Sequence, residues 1–195
     1  MSRVLLIAPS YMNLYEDIVS GLQAKGYEVQ YYQDKRIKGD PFNRVGGGEK
    51  KMPVSEFISM LDSMWSNILD KDTNNCFYDY LLVIDGLSVP SSLFDRLRKV
   101  NPSIVTCNYL YDRVKGVYEL DRNFKYYNRV FSFDQQDCRD YKLSFLPIYW
   151  TPTKRRQQFR YDVFGFGSYD KVRLNTFRRI RNIVAKEKLS AFIKI

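Results

Sequence analysis

The chain has 195 residues and 23.2 kDa, enough for one large domain or one and a fraction; its 45% apolar and 27% charged residues argue against disorder, no stretch nears the ~18 apolar residues of a membrane span, and the opening MSRVLLIAPSYMN is too short and polar for a signal peptide. Three scattered cysteines (Cys76, Cys107, Cys138) without CxxC spacing fit a reducing cytoplasm, and the absence of histidine excludes Ser-His-Asp and Cys-His nucleophile systems and His-ligated zinc. The net charge of +9 is uneven: residues 1–150 carry 19 basic and 19 acidic side chains and residues 151–195 carry 12 and 3, which marks a boundary near Thr151-Pro152-Thr153.

Arg3 to Pro9 (RVLLIAP) is a nearly continuous apolar run, the pattern of a strand buried on both faces. Leu14 to Lys25 places Leu14, Ile18, Val19 and Leu22 at helical spacing, and Gly26 follows as the C′ residue. Glu28 to Tyr32 reads as a second strand. A flexible loop follows, with Gly39-Asp40-Pro41 and Gly46-Gly47-Gly48; it lacks the spacing of a Walker A loop and does not follow a strand. Pro53 to Leu69 is predicted as a helix from the stripe Phe57, Leu61, Met64, Trp65 and Ile68. Tyr80 to Ile84 (YLLVI) is a strand, Ser91 to Val100 a helix, and Ile104 to Leu110 a strand. Val117 to Tyr127 is expected as a helix, Arg129 to Phe133 as a strand, and Leu143 to Tyr149 as one more short strand.

This alternation predicts an α/β fold, a Rossmann-like and mainly parallel sheet with helices on both faces. Such sheets bind ligands at the carboxyl ends of their strands, where the strand order switches. The residues that follow the apolar runs are therefore the binding candidates: Ser10 and Tyr11, Asp85, Tyr111 with Asp112 and Arg113, and Asp134. Polar residues also follow buried strands simply because strands end at the surface, and that reading stands beside the functional one.

Three stretches carry a resemblance: RVLLIAPSYMNLYEDIVSGLQAKGYEVQYY, YDYLLVIDGLSVPSSLFDRLRKVNP and RVFSFDQQDCRDYKLSFLPIYW. In that order they resemble the N-terminal half of glycosyltransferases of bacterial surface-polysaccharide (lipopolysaccharide and capsule) biosynthesis related to the CgeB-like group, which have a GT-B architecture of two Rossmann-like domains. The most specific part is FSFD, an acidic pair, and Tyr141-x-Leu143-x-Phe145-x-Pro147; NYLYD at 108–112 is similar to the family's strand ending in an aromatic-Asp pair. The resemblance implies an acceptor-side domain over 1–150, a basic linker over 151–160, and over 161–195 the start of a nucleotide-sugar-binding domain. Where family members tend to carry Gly-Glu after the third strand, this chain has Gly86-Leu87. The resemblance further implies a nucleotide sugar and a glycan acceptor as partners; no resident cofactor or metal is expected.

Glycosyl transfer needs a base or electrostatic stabiliser at the reacting carbon and a positive environment for the leaving diphosphate. Without histidine the base would be a carboxylate: Asp112 first, then Asp85 and Glu119. Against this stands the reading that Asp112 caps or orders the loop before the helix expected over 117–127. Gly165, Gly167 and Ser168, between the predicted strand of YDVFGFG and the basic helix over 171–188, could approach a phosphate or form only a tight turn. Lys154, Arg155, Arg156 and Arg160 could touch anionic inner-membrane lipid or be a solvated linker. Among the sixteen tyrosines, Tyr11 and Tyr111 are the ones expected to meet an acceptor. Two functions compete: an enzyme, or a non-catalytic acceptor- or partner-binding module completed by another chain, in which SAFIKI would offer a strand edge for homo- or hetero-oligomers. Nucleic-acid binding is not expected, because residues 1–150 are neutral and carry no such motif.

Overall fold

A computed structural model describes residues 1–34, 40–41, 51–72, 76–116, 120–148, 161–166 and 171–194. The loop around Gly46-Gly47-Gly48, the basic patch 154–160, Glu119, Gly167 and Ser168 lie outside these residues. The chain divides into two compact units, Met1–Trp150 and Thr151–Ile195.

The first unit runs β1 (Arg3–Ala8), α1 (Leu14–Ala24), β2 (Glu28–Gln33), α2 (Val54–Asp70), β3 (Tyr80–Ile84), α3 (Ser91–Val100), β4 (Val105–Leu110), β5 (Arg129–Ser132), α4 (Gln135–Tyr141) and β6 (Ser144–Phe145). All six strands are parallel in the order β2-β1-β3-β4-β5-β6, so the α/β class and the Rossmann-like sheet hold. The order reverses between β1 and β3, which pair with Ile7 opposite Val83. Strand alternation divides the apolar run of β1 between two cores. Leu5 and Ile7 join Trp65, Leu81, Val83, Leu93, Phe94 and Leu97 beneath α2 and α3. Leu6 and Ala8 face the other way, to Ile84, Tyr109 and, from α1, Ile18 and Val19.

Local signals place most boundaries. After α1, Gly26 takes φ +87° and the Tyr27 N–H donates to Leu22 O at 3.2 Å, the left-handed stop that its sequence position predicts. The helix expected over 117–127 is corrected: its described part is a 3-10 turn at Leu120–Tyr126, after another at Val114–Gly116. Three residues per turn bring Leu120, Asn123 and Tyr126 to one side. There Leu120 and Asn123 are buried, the Asn123 amide donates to Val89 O at 2.6 Å, and Tyr126 stacks on Phe94 with centroids 5.4 Å apart. The strand expected over 143–149 shortens to two residues, because Pro147 has no N–H to continue the ladder. Helix α4 is an element the periodicity does not reveal. It is seven residues long and mostly polar, and its start is marked only by the cap Asp134.

The second unit is a single strand–helix–strand turn: β7 (Val163–Phe166), α5 (Lys171–Lys186) and β8 (Ala191–Lys194), with Val163 opposite Ala191 in a parallel pair. Asp162 and Ser190 tie its open end, the Ser190 N–H donating to the Asp162 carboxylate at 2.8 Å. Phe164 and Phe192 stack at 5.4 Å on an exposed side of this small sheet.

Candidate functional site

The parallel sheet sends its carboxyl ends to one edge, and the register sets their order there. Asp34 follows β2, Pro9 and Ser10 follow β1, Asp85 follows β3, Tyr111 and Asp112 follow β4, and Asp134 lies two residues beyond β5. Asp85 departs from β3 with φ +58°, a left-handed conformation that aspartate tolerates better than most residues. Gly86 continues at φ +85°, where a side chain is excluded twice over: by the dihedral, and because a Cβ would come within 2.6 Å of Val83 Cγ1. The Asp85 N–H donates to Tyr109 O at 3.0 Å and its carbonyl accepts from the Asn108 amide at 3.1 Å, so the turn is pinned to β4.

Reversal at Asp85 turns its half-buried carboxyl across the end of β4. Oδ1 accepts from the Tyr111 N–H at 2.7 Å and the Asp112 N–H at 3.4 Å; Oδ2 accepts no hydrogen bond among the described residues. Burial pushes this carboxyl up to about 7, the two N–H groups opposing it and the nearby charges of Asp112 and Asp34 adding to it. A carboxyl that titrates near neutrality with one oxygen uncommitted can accept or donate a proton at physiological pH.

The loop after Gly86 is held from every side. Asp34 reaches from the end of β2, past β1, to accept the N–H groups of Gly86 and Leu87 on Oδ2 at 3.1 Å each, and that of Ser88 on Oδ1 at 3.0 Å; the Ser88 hydroxyl also donates to Oδ1. Its own N–H continues the ladder to Ala8 O at 2.9 Å. On the carbonyl side, Arg122 donates to Leu87 O, Trp65 Nε1 to Ser88 O at 2.7 Å, and Asn123 to Val89 O. Beneath Gly86 lie the buried Asn108 and Tyr127.

The other sequence candidates fall as follows. Ser10 is exposed and its hydroxyl accepts from the Gln33 amide; Tyr11 is 65% exposed at the start of a 3-10 turn. Tyr111 is half-buried, edge-on to Tyr109 at 5.2 Å. Asp112 is exposed, its backbone rather than its carboxylate engaged with Asp85. Arg113 pairs with Asp134 at 3.0 Å, and the Asp134 carboxylate caps α4 by accepting from the Gln136 and Asp137 N–H groups at 2.8 and 3.0 Å. Leu87, at the position where the resemblance implies an acid, packs against the larger core. In the second unit the space a Gly165 Cβ would fill is bounded by the Phe177 ring at 3.1 Å, so this glycine lets α5 approach β7. The structure thus brings Asp85, Tyr111 and Asp112 together through backbone bonds, and Arg113 to Asp134 as an ion pair.

Sequence reading missed Asp34, Ser88, Asn108, Arg122 and the fully buried Asp137, whose Oδ2 accepts the Val114 N–H at 2.8 Å. Asp34 had a signal, since it is the first polar residue after the YYQ end of a strand, the same rule that singled out Asp85. The others depend on pairings 23 to 54 residues apart that no local pattern displays.

An open groove of about 800 Å³ between α2 and α3, lined by Asp62, Trp65, Asp70, Arg96 and Lys99 among others, lies on the helix layer instead of at the strand ends. Three of its charged groups are already engaged, Asp62 by Ser92, and Asp70 and Arg96 by each other. Among the described residues no cluster of three or more acidic or cysteine side chains is arranged to hold a metal ion, and no helix is long and apolar enough to cross a membrane. No protein-family model matches the chain, and no curated protein matches it in sequence.

Proposed function

We propose that the carboxyl edge of the first unit binds a hydroxyl-bearing acceptor and that Asp85 takes the acceptor's proton, as in a glycosyltransferase that moves a sugar from a nucleotide-sugar donor to a surface-polysaccharide or lipopolysaccharide acceptor. One observation carries this reading: a half-buried carboxyl at the switch point of a parallel sheet, titrating at about 7, with Oδ2 uncommitted. At pH 7 about half of such groups are ionised, so the base form is available and the protonated form is within reach. Asp85 fits the role ahead of Asp112, which is exposed and lacks the burial that moves Asp85. Tyr11, exposed at the same edge, offers an aromatic and hydroxyl contact for a sugar ring, while the Tyr111 hydroxyl is buried. The motif resemblance is the source of the donor and acceptor classes.

Transfer of labelled sugar from a panel of nucleotide sugars to glycan acceptors tests the reading. Asp85→Asn is expected to lower turnover by roughly a hundredfold or more while acceptor binding is kept. Unchanged turnover in Asp85→Asn would refute it, and a loss confined to Asp112→Asn would move the role to that residue. A second reading, a binding module completed by another chain, draws on the exposed Phe164–Phe192 stack, an apolar surface on a two-stranded sheet. Sedimentation of the purified chain over a concentration series separates the two: a monomer with transfer activity discards the second reading.

A further inference from the structure

At the crevice where the strand order reverses, the ligand-binding edge of this fold is already crossed by a side chain. Three consecutive N–H groups, of Gly86, Leu87 and Ser88, together with the Ser88 hydroxyl, converge on the Asp34 carboxylate. Successive backbone N–H groups after left-handed residues form a concave anion cradle, and here the loop begins at Asp85 and Gly86, both at positive φ. The occupant comes from another strand, 52 to 54 residues away in sequence, and spans β1 to reach the cradle.

The cradle cannot turn its donors elsewhere. Asn108 holds the carbonyl of Asp85, Arg122 that of Leu87, Trp65 that of Ser88 and Asn123 that of Val89. Among the described residues the first charged group after each of β2, β3 and β4 at this edge is an acid: Asp34, Asp85 and Asp112. Two described cations are engaged otherwise, Arg122 with the loop carbonyl and Arg113 with Asp134. A phosphate or carboxylate approaching the crevice would find its donors taken and like charge around it.

We infer that Asp34 is the specificity-determining residue of this edge: an internal anion that fills the loop cradle of residues 86–88, so that the edge admits neutral, hydroxyl-bearing ligands and rejects anionic ones. This rests on reading the edge as the acceptor side, and it narrows the acceptor class to uncharged sugar. The diphosphate of a donor would have to be held elsewhere in the protein.

Removing the internal anion tests the inference with probes independent of transfer. In the full chain Asp34→Ala should lose several degrees of Tm and regain at least half of the loss in about 0.1 M sodium formate, saturably, where equal sodium chloride restores much less. Wild type should show no such formate-specific gain. Its Gly86, Leu87 and Ser88 amide resonances should also stay in place when inorganic phosphate is titrated in. Formate and chloride acting alike on folded Asp34→Ala, or saturable movement of those wild-type amides with phosphate, would overturn the inference. If the alanine variant does not fold, the wild-type titration decides alone: stationary amides support a filled cradle, and moving ones refute it. Formate rescue in a protein that binds no neutral glycan would leave the internal anion standing and remove the transfer reading.

Discussion

Replacing Asp85 with asparagine isolates what it costs to ionise a carboxyl between the ends of β3 and β4. Its ordinary value of 3.8 is raised to about 7 in the folded chain, chiefly by burial. Because the folded value lies above the unfolded one, the native state holds this proton longer, and the group's contribution to stability falls as pH rises from about 4 through about 7. Linkage between those two values gives a loss of about 2.5 kcal/mol from pH 5 to pH 8. Asparagine does not titrate, still offers an oxygen to the Tyr111 and Asp112 N–H groups, and tolerates φ +58° at least as well. Urea unfolding of both proteins at matched ionic strength, followed by the fluorescence of buried Trp65, gives a double difference in which every other titrating group cancels. The stability of Asp85→Asn relative to wild type should improve by about 2.5 kcal/mol between pH 5 and pH 8. A relative stability constant within about 0.5 kcal/mol would show that burial does not hold this carboxyl near neutrality.

Gly86→Ala should cost about 2–4 kcal/mol in urea unfolding, from the left-handed dihedral plus the Val83 contact, against about 1–2 kcal/mol for Gly26→Ala, whose Cβ would meet nothing within 4 Å; equal losses would discard the crowding argument. Trp65→Phe removes the indole hydrogen bond to the Ser88 carbonyl and shrinks a fully packed side chain, and should lower stability by about 2–3 kcal/mol with the fold retained by circular dichroism. Asp134→Ala deletes the α4 cap and should cost about 1–2 kcal/mol, whereas Arg113→Ala, which loses only a half-exposed ion pair, should cost less than about 1 kcal/mol; a larger loss for Arg113 would point to a role beyond that pair.

Several structural features were legible in the chain because they are local. The apolar runs RVLLIAP and YLLVI announce strands buried on both faces, the Phe57-Leu61-Trp65 spacing announces a helix that buries one side, and Gly26 announces where α1 stops. Such signals depend on periods of two and 3.6 residues and on single-residue dihedral preferences, which operate within a few positions. They failed where local pattern and tertiary contact disagree. Residues 120–126 pack as a 3-10 turn because α3 and the loop carbonyl of Val89 offer partners every third residue, and α4 has no apolar stripe to show itself.

Position at the carboxyl edge was also readable, since it follows from strand direction once a parallel sheet is recognised; that rule selected Asp85 and Asp112 and could have selected Asp34. What distinguishes these three carboxylates is invisible in the chain. Asp85 is moved towards neutrality by burial against β4, Asp34 is consumed by a loop 52 to 54 residues away, and Asp112 stays in solvent. The sequence by itself determined strands, helices and the edge at which chemistry can occur, because those follow from nearest-neighbour sterics and side-chain alternation. Only the tertiary structure decided which aspartate is a titratable group, which is a structural anion and which is free, because desolvation and hydrogen-bond satisfaction depend on what other strands bring to the same few ångströms.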